Sequence, residues 1–134
     1  SLNYRDLLIV QGKYNPRLKL PCQIGSDGAG IIEEIGDGVT GFKIGDRVVI
    51  AFASKWQGGP LTDEARQSAR GADEPGVFGD VVTVPESSLV SLPNQLSLEE
   101  AATLPCAGVT ASMALHDNRP SERILIQGTG GVSL

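Results

Sequence analysis

The residues with the clearest chemical signature in this chain are glycines close to its end. The run Gly128-Thr129-Gly130-Gly131-Val132-Ser133 matches two of the three positions of a Gly-x-Gly-x-x-Gly pattern, with Ser133 at the third. In that pattern the first glycine allows a tight turn, and the second lets backbone N–H groups approach a pyrophosphate at a helix N-terminus. The run therefore predicts dinucleotide binding, and its alternative interpretation is an ordinary turn between a strand and a helix.

The elements expected around this turn favour the first interpretation. Residues 124–127 form a short apolar run, which is typical of the strand that precedes such a turn. Upstream, Ser97 and Glu100 form a capping box that predicts a helix, Pro105 interrupts that helix, and a second helix is predicted over about 108–116. The second strand and the acidic residue that would bind the ribose lie outside the chain. We therefore expect the chain to contain only the first part of a nucleotide site.

The chain before Pro93 has a different character. Glycine and proline residues separate short β-branched runs, which is typical of a small barrel or sandwich of antiparallel strands. We therefore place the boundary between a β-rich part and an α/β part near Pro93. The predicted strands cover residues 28–36, 47–52, 79–84 and 89–92.

The stretch 53–78 breaks the strand pattern and is long for a connection. Thr62 is a good N-cap for a small helix, with Asp63 and Glu64 in its first turn and Gly71 placed to end it. We interpret the stretch as a solvated surface loop. The alternative is a lid over a substrate, because long loops in compact domains are often functional.

Composition excludes several classes of protein. The net charge is −5 and no basic stripe is present, which argues against a nucleic-acid partner. No apolar run approaches the ~20 residues of a membrane span, and the polar first residues are unlike a signal peptide. Two cysteines, Cys22 and Cys106, are too few for a disulfide framework, so we predict a cytoplasmic protein. The abrupt start without a Met predicts that N-terminal residues are missing.

Five stretches stand in a characteristic order along the chain. They are Asn3-Tyr4-Arg5-Asp6, Gly25-Ser26-Asp27-Gly28-Ala29-Gly30, Gly45-Asp46-Arg47-Val48, Leu104-Pro105-Cys106-Ala107-Gly108-Val109-Thr110-Ala111 and the Gly-rich run at 128–133. With these five motifs the chain resembles the medium-chain dehydrogenase/reductase superfamily, which includes zinc alcohol dehydrogenases and quinone oxidoreductases. The resemblance implies a mostly β fold with helices. It also implies a GroES-like β-barrel catalytic domain over residues 1–93, incomplete at its start, and over 94–134 the first strand and Gly-rich turn of a Rossmann domain, with the active site between them.

The chain departs from the zinc members of that superfamily at the metal site. Those members carry a Cys where this chain has Asn3 and a His-Glu pair where it has Ser26-Asp27, whereas Cys106 falls where a ligand Cys is usual. Catalytic zinc takes three protein ligands with N, S or carboxylate donors, so we expect no catalytic zinc here. The lobe that holds a structural zinc in those members corresponds to 53–78, which contains no Cys.

This pattern is similar to the zinc-free branch of quinone oxidoreductases and their relatives. It implies hydride transfer from NADPH, with NADH as the alternative, to a quinone, an enone or another conjugated carbonyl. Such an acceptor delocalises the resulting charge, whereas a plain ketone or alcohol usually needs zinc to polarise its oxygen. Two alternatives stay open: a zinc-dependent alcohol dehydrogenase with unusual ligands, and a catalytically inactive truncated barrel module.

The resemblance also implies roles for individual residues. Asn3, Tyr4 and Asp27 are the predicted catalytic residues; their alternative roles are a turn residue, a half-buried Tyr and a brace for a Gly-rich turn. Thr110 is expected near the nicotinamide, and its alternative is a helical Thr that bonds its own backbone. The predicted cofactor-binding residues are Asn3, Thr110, Gly128, Gly130, Gly131 and Val132.

Other residues receive structural interpretations. Arg5 and Asp6 are expected in structural pairs, His116 on the surface, and Trp56 either anchoring the 53–78 stretch or lining the cleft. We expect the full-length parent to be a homo-oligomer that acts on a small-molecule substrate. The chain alone is expected to transfer no hydride, and the apolar run 124–126 is a predicted self-association edge.

Overall fold

The computed structural model describes residues 1–119 and 122–133. Three short strands form one antiparallel sheet in the order β1-β2-β3, and short helices surround it. None of the described helices is long and apolar enough to cross a membrane. In chain order the elements are α1 (Tyr4–Val10), β1 (Gly28–Ile31), β2 (Arg47–Ile50), α2 (Asp63–Arg66), a 3₁₀ turn (Glu86–Ser88), β3 (Leu89–Ser91), α3 (Leu98–Ala101), a π-helical turn (Leu104–Gly108) and α4 (Val109–Leu115).

The sheet depends on its central strand, β2. Val48 and Ile50 are buried, whereas Arg47 and Val49, which alternate with them, are partly exposed, as in a half-buried strand. Since β2 pairs with β1 on one side and β3 on the other, its backbone is hydrogen-bonded along both edges. Three of the predicted strands are therefore confirmed, each shorter than expected.

Two other predicted strands are wrong for the described residues. Residues 79–84 lie outside any strand, and Val81 is 72% exposed. The residues just before them, 76–78, take the backbone partners instead, because their N–H groups donate to the carbonyls of residues 23–25. Residues 124–127 also lie outside any strand. A β-branched run becomes a strand only where a neighbouring strand pairs with it.

The helices follow their local signals closely. Ser97 Oγ accepts from the Glu100 N–H at 3.1 Å and the Ser97 N–H donates to Glu100 Oε2 at 2.8 Å, which confirms the predicted capping box of α3. The chain then passes through the π-helical turn that contains Pro105 and continues as α4, which confirms the second predicted helix. His116 follows α4 and is exposed, as expected.

The interior of the molecule is as polar as it is apolar. A buried polar group without a partner is destabilising, so this fold depends on hydrogen bonds between its loops as well as on apolar packing. The buried apolar residues are Ile9, Val48, Ile50, Ala65, Leu92 and Ala101, and the buried polar residues are Asp6, Ser26, Asp27, Ser54, Ser68, Arg70 and Ser88.

The stretch 53–78 is packed into the molecule at its second half. Thr62 Oγ1 accepts from the Ala65 N–H at 3.2 Å, so α2 begins at the predicted N-cap, although it ends before Gly71. Ala65 and Arg70 are each 2% exposed. The expectation of a solvated loop is therefore wrong for this half, because its side chains contribute to the interior.

Glycines allow the end of this stretch to lie against the chain that leads into β1. Gly71 has φ +76°, and a Cβ on it would lie 2.7 Å from the Gly25 carbonyl oxygen. A Cβ on Gly76 would overlap the carbonyl of Ile24. The close approach places Ser26, which follows Gly25 directly, in the interior of the molecule.

We expect Gly76→Ala to lower the free energy of unfolding by about 2 kcal/mol or more, because its Cβ meets backbone that cannot swing away. Gly30→Ala is the matched control, since a Cβ on that strand residue meets nothing within 4 Å. Urea denaturation of both variants measures the difference. Equal stability of the two variants would show that residues 23–25 and 76–78 do not pack as described.

Candidate active site

Two segments far apart in the sequence bring predicted catalytic residues together. Asn3 is the N-cap of α1, and Ser26 and Asp27 lie just before β1. The Asn3 Nδ2 group donates to Asp27 Oδ2 at 2.7 Å and to Ser26 Oγ at 3.4 Å. The Asn3 backbone N–H donates to Asp6 Oδ2 at 2.8 Å, and the Asp6 N–H donates back to the Asn3 carbonyl at 2.9 Å. Asn3 is therefore held through both its side chain and its backbone.

The orientation of the Asn3 amide follows from its partner. A carboxylate only accepts hydrogen bonds, so the amide nitrogen of Asn3 must face Asp27. The amide oxygen of Asn3 is then the end that is available to a ligand. As an acceptor it suits an N–H or O–H group.

Asp27 is an unusual carboxyl group because it lies inside the molecule. It is 2% exposed, and its Oδ1 atom has no hydrogen-bond partner among the described residues. Burial raises the pKa of Asp27, while the hydrogen bond from Asn3 opposes that rise. A buried carboxyl with a shifted pKa is a feature of functional sites.

Cys106 belongs to the same cluster. Burial raises the pKa of the Cys106 thiol, the negative charges of Asp27 and Asp6 raise it further, and the positive charge of Arg5 lowers it. A thiol with a raised pKa is a weak nucleophile at neutral pH. This favours a structural role for the partly buried Cys106 over a role as a nucleophile.

The donor set at this position fits catalytic zinc poorly. Asn3 and Ser26 supply a neutral amide and a hydroxyl, and both are already bonded within the cluster. Across residues 1–119 and 122–133, no group of three or more His, Cys, Asp or Glu side chains could hold a metal ion. Zinc would have to rely on Asp27 and Cys106, one ligand short of the usual three.

Tyr4 and Thr110 are both exposed. Tyr4 is the first residue of α1 and is 75% exposed, so its hydroxyl group is accessible. The Thr110 hydroxyl donates to the Cys106 carbonyl at 2.6 Å, which is the backbone-bonding alternative considered for it. Its oxygen can still accept a hydrogen bond, so the cofactor role of Thr110 stays a prediction.

The Gly-rich run forms a tight turn in the structure. Gly128 has φ +92°, which favours glycine, and the Ser133 N–H donates to the Gly130 carbonyl at 2.9 Å. A Cβ on Gly130 or Gly131 would meet nothing within 4 Å. These glycines leave open space beside the backbone, as a pyrophosphate site requires. Cofactor binding by this turn, including Val132, stays a prediction.

Arg5 was expected in a structural pair, and in the structure its partners are two aromatic rings and a backbone carbonyl. Its guanidinium carbon lies 4.9 Å from the centre of the Tyr14 ring and 4.9 Å from that of the Phe52 ring. Its Nη1 donates to the Arg70 carbonyl at 2.7 Å. The sequence held no signal for this arrangement, because the contacts join residues that are far apart along the chain.

Trp56 anchors its own loop. Its Nε1 donates to the Gly59 carbonyl at 3.1 Å. Of the two interpretations considered for Trp56, this contact supports the structural one.

Comparison with known proteins agrees with this architecture. The sequence profile described as the alcohol dehydrogenase GroES-like domain matches residues 1–94. A zinc-type alcohol dehydrogenase-like protein of Schizosaccharomyces pombe is 49% identical over 99% of the chain, which spans 40% of that protein. The crystal structure of a Sinorhizobium meliloti protein described as an alcohol dehydrogenase matches with a TM-score of 0.89 and 40% identity. The match covers 99% of this chain and 41% of that protein. The Escherichia coli quinone oxidoreductase solved with NADPH matches with a TM-score of 0.62 and 26% identity, over 90% of this chain and 30% of its own.

The chain belongs to the alcohol dehydrogenase GroES-like domain family, within the medium-chain dehydrogenase/reductase superfamily. The resemblance drawn from its five motifs is thereby confirmed, and so is the predicted fold class. Solved structures similar to this chain include an NAD-dependent alcohol dehydrogenase and the quinone oxidoreductase complexed with NADPH.

Replacing Asp27 with Asn tests the buried charge. The pKa of Asp27 is raised in the folded protein above its ordinary 3.8, so the folded state holds this proton more tightly than the unfolded state does. The carboxylate therefore lowers stability above its folded pKa, and that penalty disappears as the pH falls below 3.8. Asp27→Asn keeps an acceptor for Asn3 and removes the charge, so we expect it to be the more stable protein at neutral pH.

Chemical denaturation at neutral pH and at about pH 3.5 measures this difference, which we expect to narrow as the pH falls. Asp37→Asn is the matched control, because Asp37 is exposed and should show little change at either pH. A constant loss of stability in Asp27→Asn at both pH values would contradict the buried-charge assignment.

Proposed function

We propose that this chain provides the substrate-binding side of a zinc-independent, NADPH-dependent reductase of quinones, enones or other conjugated carbonyls. One observation carries the proposal: the Asn3 amide donates hydrogen bonds to both Ser26 and Asp27, and these three residues stand where zinc members of the superfamily carry ligands. A neutral amide and a hydroxyl cannot replace a Lewis acid. The substrate must therefore stabilise most of the developing charge itself, as a conjugated acceptor does.

The residues of the candidate site suit such a substrate. Asp27 and Ser26 hold the Asn3 amide so that its oxygen can accept a hydrogen bond from the substrate or cofactor. The accessible Tyr4 hydroxyl can donate to the carbonyl oxygen as negative charge develops there. We therefore propose catalytic roles for Asn3 and Tyr4, with Asp27 orienting Asn3.

The nicotinamide cofactor, when bound, supplies the hydride. Backbone N–H groups of Gly128, Gly130, Gly131 and Val132 would hold its pyrophosphate, and Thr110 and Asn3 would lie towards its nicotinamide end. We favour NADPH over NADH because of the likeness to the quinone oxidoreductase solved with NADPH. NADH remains the alternative.

We also propose the domain division at residue 93, which the end of the GroES-like match at residue 94 supports. A cytoplasmic location, a small-molecule substrate and a homo-oligomeric full-length enzyme belong to the same proposal. The chain spans 40% of its Schizosaccharomyces pombe relative, so all of these concern the enzyme as a whole.

The test uses the longest open reading frame that contains this chain, purified and dialysed against chelator. We expect NADPH oxidation with a simple quinone and with an enone but not with an aldehyde, and far less than one zinc ion per chain by elemental analysis. The triple variant Asn3→Cys, Ser26→His, Asp27→Glu rebuilds the ligand set and should retain zinc. Aldehyde turnover that returns only with added zinc would establish the zinc-dependent alternative.

Tyr4→Phe removes one hydroxyl and leaves the ring in place. We expect kcat with the enone to fall about a hundredfold, since removing one donor to a developing oxyanion typically lowers kcat by roughly 10² to 10³. The dissociation constant for NADPH should not change, because the proposed role of the hydroxyl concerns the substrate. Steady-state kinetics and a cofactor titration separate the two effects, and an unchanged kcat would remove Tyr4 from the mechanism.

A further inference from the structure

Arg70 is a buried cation in the 53–78 stretch whose guanidinium contacts several parts of the chain. Its Nε donates to the Ala51 carbonyl at 3.5 Å, its Nη1 to the Pro75 carbonyl at 3.3 Å, and its Nη2 to Ser88 Oγ at 3.3 Å. Nη2 also lies 3.6 Å from Glu74 Oε2. One planar group therefore joins the end of β2, the turn before β3 and the end of the stretch itself.

Glu74 extends this network to the start of the stretch. Its Oε1 accepts from Ser54 Oγ at 2.6 Å. The Ser54 N–H donates to the Ser68 carbonyl at 3.3 Å, and the Arg70 N–H donates to the Phe52 carbonyl at 2.9 Å. The two ends of the stretch are thus tied together around one positive charge. A buried charge is tolerated only when it has such partners.

The backbone at Arg70 and Gly71 contacts both segments that form the candidate site. Its carbonyl accepts from Arg5 Nη1 at 2.7 Å, and Arg5 lies two residues after Asn3. The next residue, Gly71, packs on Gly25, which directly precedes Ser26. Arg70 therefore lies beside both segments that the Asn3–Asp27 hydrogen bond joins.

Arg5 depends on that carbonyl for its position. Its guanidinium makes cation–π contacts with the Tyr14 and Phe52 rings, which are not directional enough to fix its hydrogen-bonding groups. Its Nε and Nη2 are buried without a hydrogen-bond partner among the described residues. The bond to the Arg70 carbonyl is the contact that orients the guanidinium in its own plane.

We infer that Arg70 is a positioning residue. Its side chain holds the two ends of the 53–78 stretch together, and its carbonyl thereby fixes the positions of Arg5 and of the Asn3–Asp27 pair. The stretch is then a brace for the site rather than a lid. The inference rests on the proposed function only in calling that pair an active site. Its test requires no turnover, so its failure is distinguishable from failure of the proposed function.

The titration of the Cys106 thiol depends on the positions of the charged groups in the candidate site. Besides burial, the negative charges of Asp27 and Asp6 raise the pKa of this thiol, and the positive charge of Arg5 lowers it. A displacement of Arg5 or of the Asn3–Asp27 pair in an Arg70 variant therefore changes the titration of Cys106. In a Cys22→Ser background, the pH profile of iodoacetamide alkylation measures the midpoint of Cys106 alone.

We expect Arg5→Met and Arg70→Met each to move that midpoint, with a change of roughly threefold or more in alkylation rate near pH 8. The double variant should shift it no further than Arg5→Met does, because the two residues act through one contact. Arg66→Met is the matched control: Arg66 is exposed on α2 and should leave the profile unchanged.

A folded Arg70→Met protein with the native Cys106 midpoint would overturn the inference. A double variant whose midpoint shift equals the sum of the two single-variant shifts would overturn it as well. If Arg70→Met does not fold, Arg70→Lys decides the question. Lysine keeps the charge and the aliphatic stem but cannot reach the separate acceptors as a planar fork does. We expect its midpoint to lie between those of the native protein and Arg5→Met, and a native midpoint would again overturn the inference.

Discussion

The hydrogen bond from Asn3 to Asp27 is the interaction on which the candidate site depends. It joins the start of α1 to the loop before β1, and it gives a carboxylate inside the molecule one strong partner. A charge-assisted bond of this kind is worth more than a neutral one, especially away from water. Because Asp27 only accepts, the bond also decides which end of the Asn3 amide is available to a ligand.

The surrounding fold has to make this buried polar pair tolerable. Apolar packing is modest, and serines, Arg70 and carboxyl groups occupy much of the interior. The stretch 53–78 supplies hydrogen bonds where a larger apolar core would otherwise supply packing. Close backbone approaches at Gly71 and Gly76 bring that stretch next to the loop that carries Asp27.

The same pair connects the architecture to chemistry. Zinc members of the superfamily bind a metal at these positions, and a metal polarises the substrate oxygen directly. An amide held by a carboxylate can orient a ligand but polarises it weakly. For this reason the function proposed above assigns to the site a substrate that delocalises its own negative charge, such as a conjugated carbonyl.

The sequence by itself determined the local structure and the family. The capping box of Ser97 and Glu100, the N-cap at Thr62 and the alternation of β2 all act within a few residues, so their signals can be read directly. The order of five motifs was enough to indicate the superfamily, which the match over residues 1–94 confirms.

Only the tertiary structure decided which distant groups meet. The runs 79–84 and 124–127 have the composition of strands, but a strand forms only where a partner strand pairs with it. Arg70 has the sequence context of a surface arginine, yet the fold buries it beside Glu74 and brings its carbonyl to Arg5. Contacts of this kind depend on how the chain folds back on itself, and no pattern of neighbouring residues encodes them.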